Sequence, residues 1–376
     1  MERFVADAAA EIASRAEREL EALVGVSSPS GDVAGAEEAL AVCAALAPSE
    51  AQIERLTSST PGSAPDLCAR LTGRGERRLL LLGHIDTVIG HDAHVPLTRD
   101  GERLYGPGTC DMKGGVVLAL GTARALAAAP ELYSEVVLLL VTDEEWRTRP
   151  FVHSGSFAGF DACLCFEAGQ LGPQGEEGVV IRRKAAGTLR AIAVGRPAHS
   201  GSAPDQGANA LLALAQTAIS VAALHQPSGP DRLSVVPTVV RSGRAFNVVP
   251  AEGELVFDLR AARSEAFGPV LAAIPSEVDG VTVEARMERV WPGMDATAST
   301  AGLLERASAR LGRPIVGIAR GGASDASHFA SAIPLTVDGL GPRGGGAHTP
   351  EEFVLAESLR ERAELAVALS LVLLQS

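Results

Sequence analysis

Three short stretches of this chain are almost wholly apolar, and each ends at an acidic or imidazole side chain. RRLLLLGHID runs into His84 and Asp86, EVVLLLVTDEE into Glu144 and Glu145, and DACLCFE into Glu167. An apolar run of this length, bounded by glycine or polar residues, suits a strand buried on both faces. Such strands belong to parallel sheets covered by helices. KGGVVLALGTARALAAA, between the first run and the second, reads as a helix. Strands alternating with helices predict an α/β fold with a doubly wound, mostly parallel sheet.

The flanking sequence extends this pattern. An amphipathic helix is expected up to about Gly25, then the SSPSGD loop and a second helix to about Ala47. AQIERL and DLCARL read as strands leading into the first apolar run. Near Gly172 the texture changes. Beyond the linker-like GPQGEEG, strand and helix patterns follow in the order β-α-β-β-α-β, the arrangement of ferredoxin-like domains. From about Pro292 the first pattern returns. The expected organisation is therefore a discontinuous domain, residues 1–175 with 292–376, interrupted by an inserted α+β domain over residues 176–291.

Composition narrows the function. A hydrophobic share of 46% against 21% charged residues is that of a folded globular chain. A formal net charge of -13 argues against nucleic acid or an anionic membrane as partner. Five cysteines, an odd number, do not suggest a disulfide framework and fit a reducing compartment. Cys163 and Cys165 alternate within an apolar run and read as small buried strand residues. No stretch has the length of a membrane span, and the first residues mix acids and bases unlike a signal peptide, so the cytoplasm is the expected location.

In open α/β sheets, ligands gather at the carboxyl ends of the strands. Any one of these polar residues alone reads as a cap or a surface group. Several at the same end of one sheet point to a metal centre. His84 and Asp86 alternate at a strand tip, which suits an imidazole on the metal with a carboxylate on its other ring nitrogen. Asp111, after the glycine-rich turn of YGPGTCDMKGG, is a candidate bridge, because a carboxylate can offer one oxygen to each of two cations. Helix N-capping is the competing reading. Glu144 and Glu145 are adjacent and cannot point the same way, so one can ligate while the other serves as general base. His348, in GGGAHTP, offers a further imidazole. Imidazole and carboxylate donors without a cysteine pair suit zinc, with manganese or cobalt as alternatives.

GHIDTV, YGPGTCDMKGG, TDEE, the later Glu167 and the late His348, in that order, resemble the M20 family of metallopeptidases over most of the chain. The substrate-side motifs are most similar to the glutamate carboxypeptidases of that family. The resemblance implies two zinc ions bridged by Asp111 and a water. His84 and Glu167 would complete one site, Glu145 and His348 the other. It makes Glu144 the base, Asp86 the partner of His84, and the Asp111–Met112 bond cis. The inserted domain becomes a lid and dimerisation domain of a homodimer, with His199 stabilising the oxyanion from the partner subunit. Asn247, Arg260 and Arg289 become substrate-binding residues, and the backbone around Gly321 and Gly322 meets a carboxylate. By simple strand alternation Arg289 shares a face with Val283 and Met287, away from Arg260. Asp325 is expected to be structural and His328 to lie at the surface. WRTRPFVHSGSFAGF departs from the Gly-Ser pattern of the family at that point.

The reaction so implied is hydrolysis of an amide in an N-acyl amino acid or small peptide, releasing an amino acid with a free carboxylate. A deacylase of the acetylornithine or succinyl-diaminopimelate type and a dipeptidase are the rivals among enzymes. A catalytically silent small-molecule-binding homologue is the rival outside them.

Overall fold

The three apolar runs lie side by side as parallel strands in a computed structural model, which describes residues 2–375. Tyr133–Val141, Arg77–His84 and Ala162–Cys165 are consecutive neighbours, and Leu335–Val337 adds a fourth parallel strand. Asp66–Thr72 joins the other side antiparallel and carries Gln52–Leu56 at the edge, so the sheet is six-stranded and mixed. Leu79, Leu80, Leu81 and Leu82 are each 0% exposed. Successive strand residues face opposite ways, so both faces of this strand are covered.

Helices supply the cover. Glu2–Val24, Val33–Leu46, Gly114–Ala127, Thr297–Leu311 and Ala356–Leu374 all contribute side chains to one aliphatic cluster with the sheet. Asp32 caps the second of these by accepting from the Gly35 N–H. The five cysteines are buried and form no disulfide, and Cys163 and Cys165 lie in their strand. Among the described residues no helix is long and apolar enough to cross a membrane.

The chain divides into two compact units. One takes the sequence up to Arg182, then Asp295–Arg320 and everything from Ser324 onward; the other is Arg183–Met294 with Gly321–Ala323. The first break therefore falls at Arg182 and Arg183, not near Gly175. Two strands meet at this break, Glu177–Arg183 and Ala185–Val194. Val179 and Ile181 belong to the core of the first unit, whereas Ala185, Leu189 and Ala191 belong to that of the second.

In the second unit the strands Ser234–Ser242, Glu252–Ala261, Ala185–Val194 and Val281–Trp291 lie in that spatial order, all pairs antiparallel. Numbered by sequence this is second, third, first, fourth, the ferredoxin-like order. Its two helices are Ala210–Ala222 and the short Phe267–Ala272. Leu255, Phe257 and Leu259 are buried, while Asp258 and Arg260 stand on the other face.

Candidate metal centre

Three neighbouring parallel strands end together, and the residues just beyond them meet. His84 closes Arg77–His84, Glu144 and Glu145 follow Tyr133–Val141, and Glu167 follows Ala162–Cys165. Asp111 comes from a tight turn over Thr109–Lys113 that opens the helix Gly114–Ala127, and its bond to Met112 is cis. His348 arrives from far along the sequence, with its backbone in the left-handed region at φ 68°. A non-glycine residue persists there only where its surroundings hold it, and such positions cluster at functional sites.

Asp111 is the hub. Its Oδ1 lies 3.2 Å from His84 Nε2 and its Oδ2 lies 3.1 Å from His348 Nε2. His84 Nε2 is also 3.8 Å from a Glu167 oxygen, and His348 Nε2 is 3.3 Å from Glu145. Two triples result, His84 with Asp111 and Glu167, and Asp111 with Glu145 and His348. Asp111 is common to both.

The electrostatics of the cluster are those of a site short of positive charge. Burial disfavours a charged His84, yet contact with Asp111 and Asp86 and the nearby Glu144 and Glu167 outweigh it and raise its pKa well above the ordinary range. Hydrogen bonds to Asp111 and Glu145 push His348 up to about 10. Burial opposes ionisation of Asp111, but His348 and His84 hold its carboxyl well below the usual carboxylate range. The surrounding carboxylates thus favour positive charge at both imidazoles. Glu145 keeps one buried oxygen without a hydrogen-bond partner. Imidazole and carboxylate donors in two triples, a shared carboxylate and an orphaned buried oxygen fit a pair of divalent cations.

Glu144 stands apart from both triples and is 7% exposed. Burial raises its pKa well above normal; His84 pulls it back, while Glu167, Asp325 and Glu145 add to the rise. A carboxylate so poised has a strong affinity for a proton.

Asp86 serves the site differently from the simple expectation. His84 Nδ1 is 3.0 Å from the Asp86 backbone carbonyl and 3.4 Å from its carboxylate, so the carbonyl is the better acceptor. The carboxylate instead accepts the backbone N–H groups of Glu144 and Glu145, both at 3.1 Å, and the Ser30 hydroxyl. It therefore orients the loop that presents both acids. Ser30, in the SSPSGD loop, was not legible from spacing, because its partner is 56 residues away.

The departing loop after these acids is held from inside. Arg147 is fully buried and donates to Asp143 at 3.0 Å and bidentately to Asp325. Asp143 in turn accepts the Thr60 N–H at 2.7 Å. Asp325 is thus structural, as expected. His328 is not a surface residue: its ring stacks on Phe151 with centroids 5.0 Å apart. Phe151 of the loop receives that ring, and Phe329 joins Phe151 to Phe157, which packs on Phe160.

In the second unit, His199 and Asn247 lie on two segments that pair: His199 bridges Val248, and the Ser200 N–H donates to the Asn247 carbonyl. Both residues are exposed. His199 Nδ1 accepts the N–H groups of Gly201 and Ser202, which leaves Nε2 as the nitrogen that carries the proton. Arg260 forms two 3.0 Å hydrogen bonds with Asp258 on its own strand. Arg289 corrects the alternation argument. A register shift between Thr188 and Leu189 sets Arg289 opposite Thr188, which is itself opposite Asp258. The extra residue of this bulge moves Arg289 onto the face of Asp258 and Arg260, where its guanidinium lies 4.4 Å over the Trp291 ring. Gly321 and Gly322 are exposed, and the Gly322 carbonyl accepts from Arg183.

Comparison with known proteins places this geometry. The pattern of peptidase family M20/M25/M40 matches residues 80–371. Carboxypeptidase G2 of Pseudomonas sp. (strain RS-16) is 26% identical over 373 residues, covering 93% of this chain and 87% of that protein. A tripeptidase from Staphylococcus aureus superposes with a TM-score of 0.78 at 19% identity, covering 97% of this chain and 99% of the other. An M20 family metallo-carboxypeptidase from Sulfolobus solfataricus gives 0.77 at 14% identity, covering 96% and 99%. The two structural likenesses speak for the fold.

Proposed function

Since the chain belongs to peptidase family M20/M25/M40, and is a hydrolase of that metallopeptidase type, we propose that it cleaves an amide bond in an N-acyl amino acid or small peptide and releases an amino acid with a free carboxylate. The observation that carries this reading is the Asp111 carboxylate, which turns one oxygen toward each of two imidazoles beside a buried glutamate. In this reading His84, Asp111 and Glu167 hold one divalent cation and Asp111, Glu145 and His348 a second, with zinc the metal that suits the donors. When bound, such a pair supplies Lewis acidity to a carbonyl oxygen and eases deprotonation of water.

The protein's own part is proton movement and orientation. Glu144 takes a proton from the attacking water and returns it to the leaving amine nitrogen, a role that its raised pKa suits. Asp86 keeps Glu144 and Glu145 in place through their backbone N–H groups. His199 supplies a Nε2–H donor to the oxyanion from a second copy in a homodimer. Asn247, Arg260, Arg289 and the backbone at Gly321 and Gly322 bind substrate, the arginines recognising its carboxylate.

The test is a panel of N-acyl amino acids, folyl-glutamate analogues and dipeptides, offered to zinc-loaded protein. Turnover should favour substrates with a free carboxylate beside the scissile amide and vanish with a chelator. Protein with confirmed metal content that hydrolyses nothing in the panel would instead be a binding protein.

A further inference from the structure

Asp111 sits on a turn whose backbone N–H groups converge on one carboxylate from the far end of the sequence. Glu352 Oε1 accepts from the N–H groups of Cys110 at 2.7 Å and Asp111 at 2.8 Å, and Oε2 accepts from Gly108 at 2.8 Å. Its main-chain carbonyl takes the Gly106 N–H at 3.0 Å. Glu352 is 2% exposed. Four donors of one short turn thus end on a single buried residue. Consecutive N–H groups folded into such a concavity form an anion nest, and Gly108, at φ 76°, gives the turn the left-handed step it needs.

The other end of Glu352 is equally constrained. Its N–H donates to the Thr349 carbonyl, and the Thr349 N–H donates to Gly346, closing the loop that presents His348. The next residue starts the strand Phe353–Leu355, which pairs antiparallel with Arg103–Tyr105 just before the Asp111 turn. Glu352 is therefore the direct covalent and hydrogen-bonded link between the segment carrying His348 and the turn carrying Asp111.

We propose that Glu352 is a positioning residue of the metal centre: by filling the nest it aims the Asp111 carboxylate at both cation sites and sets the distance from Asp111 to His348. This rests on the reading of Asp111 as the shared ligand. An amide in place of the carboxylate keeps the shape but turns an NH2 group toward one of the donors, so the nest loses at least one acceptor. An aspartate keeps the charge but falls one methylene short.

The experiment compares Glu352→Gln and Glu352→Asp with the unaltered protein and with Glu177→Gln, which removes a buried carboxylate bound to Arg362 in the same unit. Zinc affinity is read by titration calorimetry after chelator treatment, and melting is followed in the metal-free state. Loss of an outer partner of a ligand typically weakens metal binding roughly 10- to 100-fold, and that is expected for whichever Glu352 variant folds. Excess zinc should restore most of the turnover, and Glu177→Gln should lower the melting temperature without altering zinc affinity. Unchanged zinc affinity in a folded Glu352 variant would overturn the proposal, as would an equal loss in Glu177→Gln. If neither Glu352 variant folds, hydrogen exchange on the unaltered protein decides: amides of Gly108, Cys110 and Asp111 that exchange as fast as open loops would sink the nest. Zinc binding by His84→Ala equal to that of the unaltered protein would remove the metal centre itself, and with it both readings.

Discussion

His84 and Asp86 are each 1% exposed, and Glu144 and Glu167 lie below the surface beside them, whereas His199 and Asn247 in the second unit stand in solvent. The first group is built from strand ends whose neighbours are fixed by the sheet, and the Asp86 carboxylate accepts backbone N–H groups of the loop beyond. The second group is held by local turns and by in-strand pairs such as Arg260 with Asp258. Only His348 breaks the contrast, being half exposed within the buried cluster. The difference teaches that, in the proposed function, proton and cation chemistry falls to residues fixed by the sheet of one unit, while recognition falls to exposed residues of the other.

The strongest way to break that comparison is Glu144→Gln. It should leave melting and zinc content unchanged while lowering kcat by roughly 10²- to 10⁴-fold, the usual range for a general acid–base. Metal analysis alongside steady-state kinetics checks it, and near-normal turnover with zinc in place removes Glu144 from its role. Next in size is His199→Ala, for which a loss of roughly 10²- to 10³-fold in kcat matches removal of an oxyanion donor. Mixing this variant with Glu144→Gln under conditions that exchange subunits sharpens the point. Recovered activity means the imidazole acts across a dimer, and no recovery confines it to its own chain. Smaller still is Arg260→Ala, which should raise KM about 10- to 100-fold for carboxylate-bearing substrates, as expected for a lost charge-assisted hydrogen bond. Asp258→Ala is its control. If Arg260 meets substrate, freeing it from Asp258 should leave KM equal or lower; if the pair is only structural, the two variants behave alike.

Much of the first unit was legible because burial on both faces forces an apolar run, and a run that ends at the mouth of a parallel sheet marks its own last residue. Asp111 stands out in the sequence for a chemical reason, since a carboxylate can offer one oxygen to each of two cations, and its two oxygens do face two imidazoles. What escaped the sequence depends on contacts across long separations or on irregular backbone. Asp86 binds the acid-bearing loop because the ends of two neighbouring strands are level, which no local pattern encodes. Arg147 looks like an exposed loop residue until Asp143 and Asp325 are seen to enclose it. Counting by twos puts Arg289 on the face of Val283 and Met287, and it fails because a bulge intervenes.

The discontinuity of the first unit also has a consequence in time. A chain emerging from the ribosome presents His84, Asp111, both adjacent acids and Glu167 early, then threads out the whole intervening unit before His348 and Glu352 appear. Until then the Asp111 turn lacks its anion and the second triple lacks its imidazole. The nascent polypeptide thus carries its acids without the means to arrange them. The last parts of the proposed centre thus follow only after the whole second unit has been made, and the helix Ala356–Leu374 then adds its side chains to the aliphatic core.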